Sequence, residues 1–178
     1  MASNRHLGRI IALQTLYEVE FRLEAGDVDL DEASILDRNI YRYRDMVDDL
    51  EFIKRLTAGV TEQAAKLDAQ LTPVAPEWPI DQIARMDRIV LRIGLYELNN
   101  EADVPPKVVI NEAVELAKAF GGENSSKFVN GVLGTLLRER DTPNDAKKST
   151  PKSITKAKKP PITKKSTTKP KPTNGDAE

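Results

Sequence analysis

The sequence contains no cysteine and only one histidine among its 178 residues. The missing cysteine excludes disulfides, thiolate catalysis and cysteine-ligated zinc or iron–sulfur sites. His6 has no second histidine with which to form a metal site or a catalytic triad. Residues 121–127 are only faintly similar to a phosphate loop, because the Gly-Lys-Ser/Thr ending is missing. We therefore predict a protein that is not an enzyme and has no catalytic residues, no metal and no cofactor.

Long hydrophobic runs are also missing. No stretch approaches the length needed to span a membrane, and the apolar run of residues 10–13 ends at Gln14, which argues against a signal peptide. We expect a cytoplasmic protein with no membrane partner. Aromatic residues make up only 5% of the chain, so the core has to be built mainly from Ala, Leu, Ile and Val.

Charge is unevenly distributed along the chain. Residues 1–140 hold 17 basic and 24 acidic residues, whereas residues 141–178 hold 10 lysines and 4 acidic residues. The second region consists largely of Lys, Pro, Thr and Ser and cannot bury enough apolar surface to offset the entropy of ordering. We predict a folded domain over residues 1–140 and a disordered basic tail over 141–178. Such a tail favours a nucleic-acid partner, although a merely solubilising extension is the alternative.

Apolar residues recur at helical spacing, and no segment shows a convincing alternation with a period of two, so we predict an all-α fold. The apolar stripe of the third predicted helix starts at Met46 and Leu50. Trp78 is predicted to fill the space between two halves of the fold. The predicted helices cover residues 5–24, a segment after Asp31, 46–71, a short turn at 80–84, 85–99, 106–120 and a segment capped by Asn124 or Ser125.

The predicted helix over residues 85–99 is apolar on nearly every side except one narrow stripe. The stripe consists of Arg85, Arg88, Arg92, Tyr96 and Asn99. One interpretation is a solvated strip whose arginines pair with carboxylates. The other is a partner surface, because Arg and Tyr are favoured anchors of protein interfaces.

Two further features favour a phosphate ligand. Arg5, His6 and Arg9 stand near a helix start, where positive charge opposes the helix dipole, although their presence there could be chance. The last predicted helix has a bare side whose two glycines cost about 1 kcal/mol each relative to alanine. That side could contact another helix of this protein, or it could contact a nucleic acid with Phe128 stacked on a base. This bare side of the last predicted helix carries Lys127, Asn130, Gly131, Gly134 and Arg138.

Three segments, in this order and spacing, are similar to the NusB family of bacterial transcription antitermination factors. They are Leu91-Arg-x-x-Leu-Tyr-Glu-Leu98, Ile110-Asn-Glu-Ala113 and Lys127-Phe-Val-Asn-Gly-Val-Leu133. The resemblance covers residues 5–138 and implies about seven helices in two packed bundles. It also implies binding of single-stranded boxA RNA of nascent ribosomal RNA transcripts, jointly with the ribosomal small-subunit protein NusE, within an RNA polymerase antitermination complex.

Carried over by position, the resemblance implies two sets of site residues. The RNA-binding set is Arg5, His6, Arg9, Gln14, Tyr17, Lys127, Phe128 and Asn130. The NusE-binding set is Asp87, Arg88, Arg92 and Tyr96. The family's amino-terminal segment is usually richer in arginine, so we predict weak RNA affinity for this chain alone. Asn124 stands where some relatives carry a carboxylate, and a neutral amide repels phosphate less.

Two other functions remain open at this point. A NusB-like domain also occurs in ribosomal RNA cytosine methyltransferases, but those need a large following domain and a cysteine nucleophile, and this chain has no cysteine. The chain could otherwise be a NusB-like RNA-binding module of ribosomal RNA modification or ribosome assembly, or a helical dimer that binds no RNA. The sequence leaves open whether the protein is a monomer or a homodimer.

Overall fold

The computed structural model describes residues 2–141 of the chain, with side chains for residues 5–140. This part lies in a compact unit, Met1–Lys147. Every regular element within it is a helix, which confirms the predicted all-α class. The helices are α1 Ala2–Glu24, α2 Glu32–Arg42, α3 Leu50–Glu62, α4 Ala64–Leu71, α5 Arg85–Asn100, α6 Pro106–Phe120 and α7 Ser125–Asp141, with 3₁₀ turns at Thr72–Val74 and Ile80–Gln82. The predicted tail lies outside the described residues, apart from Asp141 at the end of α7.

Local chemistry explains where several helices begin and end. Asp49 caps α3, because its Oδ1 accepts the backbone N–H of Phe52 at 3.0 Å. The segment after α1 turns at Gly26, whose φ of 81° lies in the left-handed region that glycine adopts without strain. Helix α6 begins at Pro106, where a missing N–H costs nothing, and ends before Gly121, so both of its predicted bounds are confirmed.

The predicted long helix over residues 46–71 is wrong, since the chain forms α3 and α4 there with Gln63 between them. Asp49 caps the helix and sets its start at Leu50, so Met46 lies before it and is 57% exposed. The apolar spacing of the sequence continues across the break, and the Gln63 carbonyl still accepts a hydrogen bond from the amide four residues later, at 2.9 Å. The pattern therefore could not reveal the break.

Helix α5 joins two groups of helices. Helix α1 packs against α2 and α3 in one group, while α6 and α7 form a close pair in the other, and α5 contacts α1, α3, α4, α6 and α7. Its crossing with α3 is close because Gly59 leaves room for the ring of Tyr96, which would lie 2.3 Å from an added Cβ. None of the described helices is both long and apolar enough to cross a membrane.

Candidate nucleic-acid interface

The first turns of α1 carry two partly exposed basic side chains, Arg5 and His6, each next to a carboxylate. The side chains of Arg5 and His6 are 35% and 37% exposed. Arg5 Nε lies 3.4 Å from the Asp49 carboxylate, and its guanidinium lies 5.0 Å from the centre of the Phe52 ring. His6 Nδ1 lies 2.7 Å from Glu112 Oε2 on α6. Each of these two basic side chains therefore already has an acidic partner within the protein.

Arg9 lies about one turn further along α1 and is only 2% exposed. Its Nε and Nη2 donate to the two carboxylate oxygens of Glu97 at 2.8 and 2.7 Å, and its Nη1 lies 3.3 Å from Glu112. Burial raises the pKa of Glu97, and the Arg9 guanidinium opposes part of that shift. The pair joins α1 to α5, and its burial leaves Arg9 almost no surface to offer an external phosphate.

Gln14 and Tyr17 are the partly exposed members of the predicted RNA set further along α1. The side chain of Gln14 makes no hydrogen bond within the part of the chain that the structure describes. The guanidinium of Arg85 lies 5.4 Å from the ring centre of Tyr17 and 5.4 Å from that of Phe21. Tyr17 thus belongs to a cluster in which one α5 arginine contacts two aromatic rings of α1.

The start of α7 presents polar side chains that have no hydrogen-bond or ion-pair partner within residues 5–140. Lys127 and Asn130 are exposed, and within residues 5–140 neither side chain forms a hydrogen bond or an ion pair. The partly exposed ring of Phe128 meets Trp78 edge-on, with ring centres 6.4 Å apart. An added Cβ at Gly131 would meet no described atom within 4 Å. The bare side of α7 is therefore not covered at this glycine by another described helix.

Asp87 connects the start of α5 to the turn before α7. It interacts with Ser125, whose Oγ accepts the backbone N–H of Gly122 at 2.8 Å. Asp87 Oδ1 is buried and has no hydrogen-bond partner among the described atoms. Burial raises the pKa of Asp87, and the hydrogen bond with Ser125 opposes that shift. Asp87 thus helps to hold the turn that precedes Lys127 and Phe128 in the chain.

The arginine stripe of α5 is largely an ion-pair network between helices. Arg88 Nη2 donates to Glu20 of α1 at 2.9 Å. Arg92 donates to both carboxylate oxygens of Asp68 on α4, at 2.7 and 2.6 Å, and also to Glu20. Tyr96 is buried, and burial raises its pKa. Of the two interpretations of the stripe, the pairing of arginines with carboxylates is confirmed for Arg88 and Arg92, while their predicted contact with NusE stays a prediction.

Five of the eight predicted RNA residues fall into two groups, and no contact found among the described residues joins one group to the other. The amino-terminal patch consists of Arg5 and His6, and it meets α6 at Glu112. The α7 patch, which consists of Lys127, Phe128 and Asn130, follows the turn after α6. Helix α6 continues for eight residues beyond Glu112, or about 12 Å at 1.5 Å per residue. Both patches offer hydrogen-bond donors to an anion, and no group of three or more metal-ligating side chains occurs among the described residues.

Sequence reasoning missed three residues that contact the amino-terminal patch: Asp49, Phe52 and Glu112. Glu112 stands in the Ile-Asn-Glu-Ala segment, and that segment was the available signal. The spacing of α6 does not show that this glutamate meets α1, because His6 lies 106 positions earlier in the chain.

Comparison with known proteins identifies the same part of the chain. The NusB family model matches residues 6–138. The transcription antitermination protein NusB of Chloroflexus aggregans is 45% identical over 139 residues, which cover 77% of this chain and 89% of that protein. The solved structure of T. maritima NusB is 34% identical, has a TM-score of 0.67 and covers 76% of this chain and 91% of that one.

The fold is also similar to a chain from the crystal structure of antitermination factors NusB and NusE in complex with dsRNA. That chain is 24% identical, with a TM-score of 0.67, and the match covers 78% of this chain and 99% of that one. The similarity supports the arrangement of helices.

Proposed function

Because this chain belongs to the NusB family, we propose that it acts in transcription antitermination by binding boxA RNA of nascent ribosomal RNA transcripts together with NusE. The start of α7 carries the proposal, since Lys127 and Asn130 are exposed and have no partner within residues 5–140, and they lie beside the partly exposed ring of Phe128. Proteins that bind single-stranded RNA combine phosphate contacts with bases stacked on aromatic rings. The bound protein would join the RNA polymerase antitermination complex.

We propose that the RNA surface joins both patches. Lys127 and the amino-terminal patch would supply phosphate contacts, and Gln14 and Tyr17 would extend the surface along α1. Phe128 and Asn130 would supply stacking and polar contacts. Arg9 would contribute by fixing α1 against α5 through Glu97 rather than by meeting RNA. The folded RNA-binding domain would comprise residues 1–140, with residues 141–178 as an accessory basic tail.

The NusE surface is proposed on α5 and its neighbours. Arg88 and Arg92 pair with Glu20 and Asp68, so they would support that surface by holding α1, α4 and α5 in register. A NusE contact through Asp87, Arg88, Arg92 or Tyr96 would act at the partly exposed edges of these groups. Substitutions there are therefore expected to change both stability and NusE affinity.

The proposal is tested by fluorescence anisotropy with labelled single-stranded boxA RNA and a scrambled RNA, with and without NusE. We expect tighter binding to boxA than to the scrambled RNA, a further gain with NusE, and a loss of about five-fold or more in Phe128→Ala, because base stacking is worth about 1–3 kcal/mol. Tyr41→Ala, which removes an exposed aromatic ring on α2, is the matched control and should leave the affinity unchanged.

Two further arms complete this experiment. Equal binding to both RNAs that disappears when residues 142–178 are removed would mean that the tail acts as a generic polycation, and the proposal would then be wrong. An unlabelled duplex RNA serves as a competitor, because the similar solved complex contains dsRNA. Stronger competition by the duplex than by single-stranded boxA would exclude single-strand recognition.

A further inference from the structure

The two basic side chains of the amino-terminal patch, Arg5 and His6, already have carboxylate partners in this protein. Asp49 lies 3.4 Å from Arg5 Nε, and Glu112 lies 2.7 Å from His6 Nδ1. We propose that Asp49 and Glu112 are internal counter-ions that compete with RNA phosphate for Arg5 and His6, and so limit the affinity for RNA. This inference rests on the proposed RNA-binding function and identifies two residues that regulate its site.

Neither Asp49 nor Glu112 is required to neutralise a buried charge. Arg9 is the buried cation of this region, and both carboxylate oxygens of Glu97 already bind it. Glu112 is partly exposed, and its additional contact with Arg9 is the longer one at 3.3 Å. Partly exposed ion pairs are weak because water screens them. A phosphate group can therefore replace Glu112 on His6 without leaving Arg9 unpaired.

Asp49 divides its two oxygens between separate tasks. Oδ1 caps α3 by accepting the backbone N–H of Phe52 at 3.0 Å, whereas Oδ2 faces Arg5. The loss of the Arg5 contact therefore leaves the helix cap intact. Within residues 5–140, neither Nη atom of Arg5 has a hydrogen-bond partner, so both can donate to a phosphate.

The ring of Phe52 keeps Arg5 in place when its counter-ion leaves. The guanidinium lies 5.0 Å from the ring centre, within the range of a cation–π interaction. The ring is buried and belongs to the core, so its position does not depend on a ligand. Arg5 thus remains oriented while its partner changes from a carboxylate to a phosphate.

The test uses Asp49→Asn and Glu112→Gln in the full chain. Both substitutions remove charge and keep the shape of the side chain, and asparagine also caps helices well. We expect each variant to bind boxA RNA about two- to five-fold more tightly near 0.1 M salt, in line with the strength of partly exposed ion pairs. The advantage should shrink as salt rises, because salt screens the same pairs.

Matched controls separate competition from a general change in charge. Glu51→Gln removes an exposed carboxylate in the first turn of α3, and Glu115→Gln removes one on α6 whose partner is Lys118 and not His6. Each should change RNA affinity by less than two-fold. The gain from Glu112→Gln should disappear in a His6→Gln background. Equal gains in the controls, or a gain that persists without His6, would overturn the inference.

A measurement with inorganic phosphate makes the inference independent of boxA recognition. NMR signals of the Arg5 Nε–H group and the His6 ring are followed while phosphate is added to the full chain. In the combined Asp49→Asn/Glu112→Gln variant they should shift at lower phosphate concentration than in the unsubstituted chain. Unchanged phosphate and RNA affinities, with boxA still preferred over the scrambled RNA, would refute the counter-ion inference alone. Loss of boxA preference with the phosphate shift retained would refute only the proposed function.

Discussion

The two ends of the proposed RNA surface differ in how their positive charge is held. At the amino end of α1, Arg5, His6 and Arg9 all contact carboxylates of the same protein. At the start of α7, Lys127 has no anionic partner within the described part of the chain. Both groups were predicted as RNA contacts from the same family resemblance. The difference shows that the presence of a basic side chain does not determine whether its charge is available to a ligand.

The physical origin of this difference is the neighbourhood of each helix. The amino end of α1 lies against α3, α5 and α6, and each of these elements or its cap brings a carboxylate within 3.4 Å of a cation. The start of α7 instead follows the glycine-rich turn after α6 and faces Trp78 through Phe128. The basic side chains at the amino end of α1 are therefore paired with carboxylates, whereas the polar side chains at the start of α7 are exposed.

The largest effect is expected at the ion pair that is buried, which Arg9 forms with Glu97. Glu97→Gln should lower the free energy of unfolding by about 3 kcal/mol, because it leaves Arg9 buried with only the longer contact to Glu112. Urea unfolding at pH 7 measures the change, and Glu115→Gln on the surface of α6 should stay within about 0.5 kcal/mol of the unsubstituted chain. The folded variant should bind RNA nearly as well as the unsubstituted chain. A large loss of RNA affinity without a loss of stability would mean that Arg9 reaches RNA after all.

A smaller effect is expected on the salt dependence of RNA binding, which should differ between substitutions in the two patches. Lys127→Gln should reduce the slope of log affinity against log salt by about 0.7, the value for one phosphate contact to a single strand. Arg5→Gln should reduce it by less than half as much, because Asp49 already neutralises part of the Arg5 charge. Anisotropy between 50 and 200 mM salt measures both slopes. Equal reductions would show that the internal carboxylates do not distinguish the patches.

The helices could be predicted from the sequence more reliably than the charge pairs. Helix α6 lies between Pro106 and Gly121, residues whose local chemistry starts and ends a helix, and its predicted bounds are confirmed. The break at Gln63 could not be predicted, since no proline or glycine marks it and the apolar spacing continues. Local rules thus predict where a helix stops only when a residue at that position enforces the stop.

The candidate site was only partly predictable for a related reason. Arg9 and Glu97 lie 88 positions apart in the chain, and the spacing within one helix carries no information about such a partner. The exposure of Lys127 and Asn130 could be expected from the polar side of α7. The pairing of Arg5 with Asp49 depends on how α1 and α3 pack, so the resemblance could name the cation but not its counter-ion.

The smallest effect concerns Asp87, a carboxylate that interacts with Ser125 at the start of α7. Burial raises the pKa of Asp87, so the folded protein holds this proton more tightly than the unfolded chain does. The stabilising contribution is therefore fully present below the unfolded pKa of about 3.9 and is lost as pH rises through the folded pKa. At pH 7 the ionised group costs stability, which Asp87→Asn should restore by no more than about 1 kcal/mol, because the site is only partly buried.

Urea unfolding of the Asp87→Asn variant and of the unsubstituted chain at several values between pH 3.5 and pH 7 tests this expectation. The two curves should converge at the acidic end, where Asp87 is protonated and resembles the amide. Asp81→Asn, at an exposed position just before α5, should show no such pH-dependent difference. A variant that is less stable at pH 7 would mean that the dipole of α5 and the contact with Ser125 favour the carboxylate more than burial disfavours it. In that case a charged carboxylate would stabilise the start of α7 as well. The start of α7 and the amino end of α1 would then differ less in how far internal carboxylates organise them.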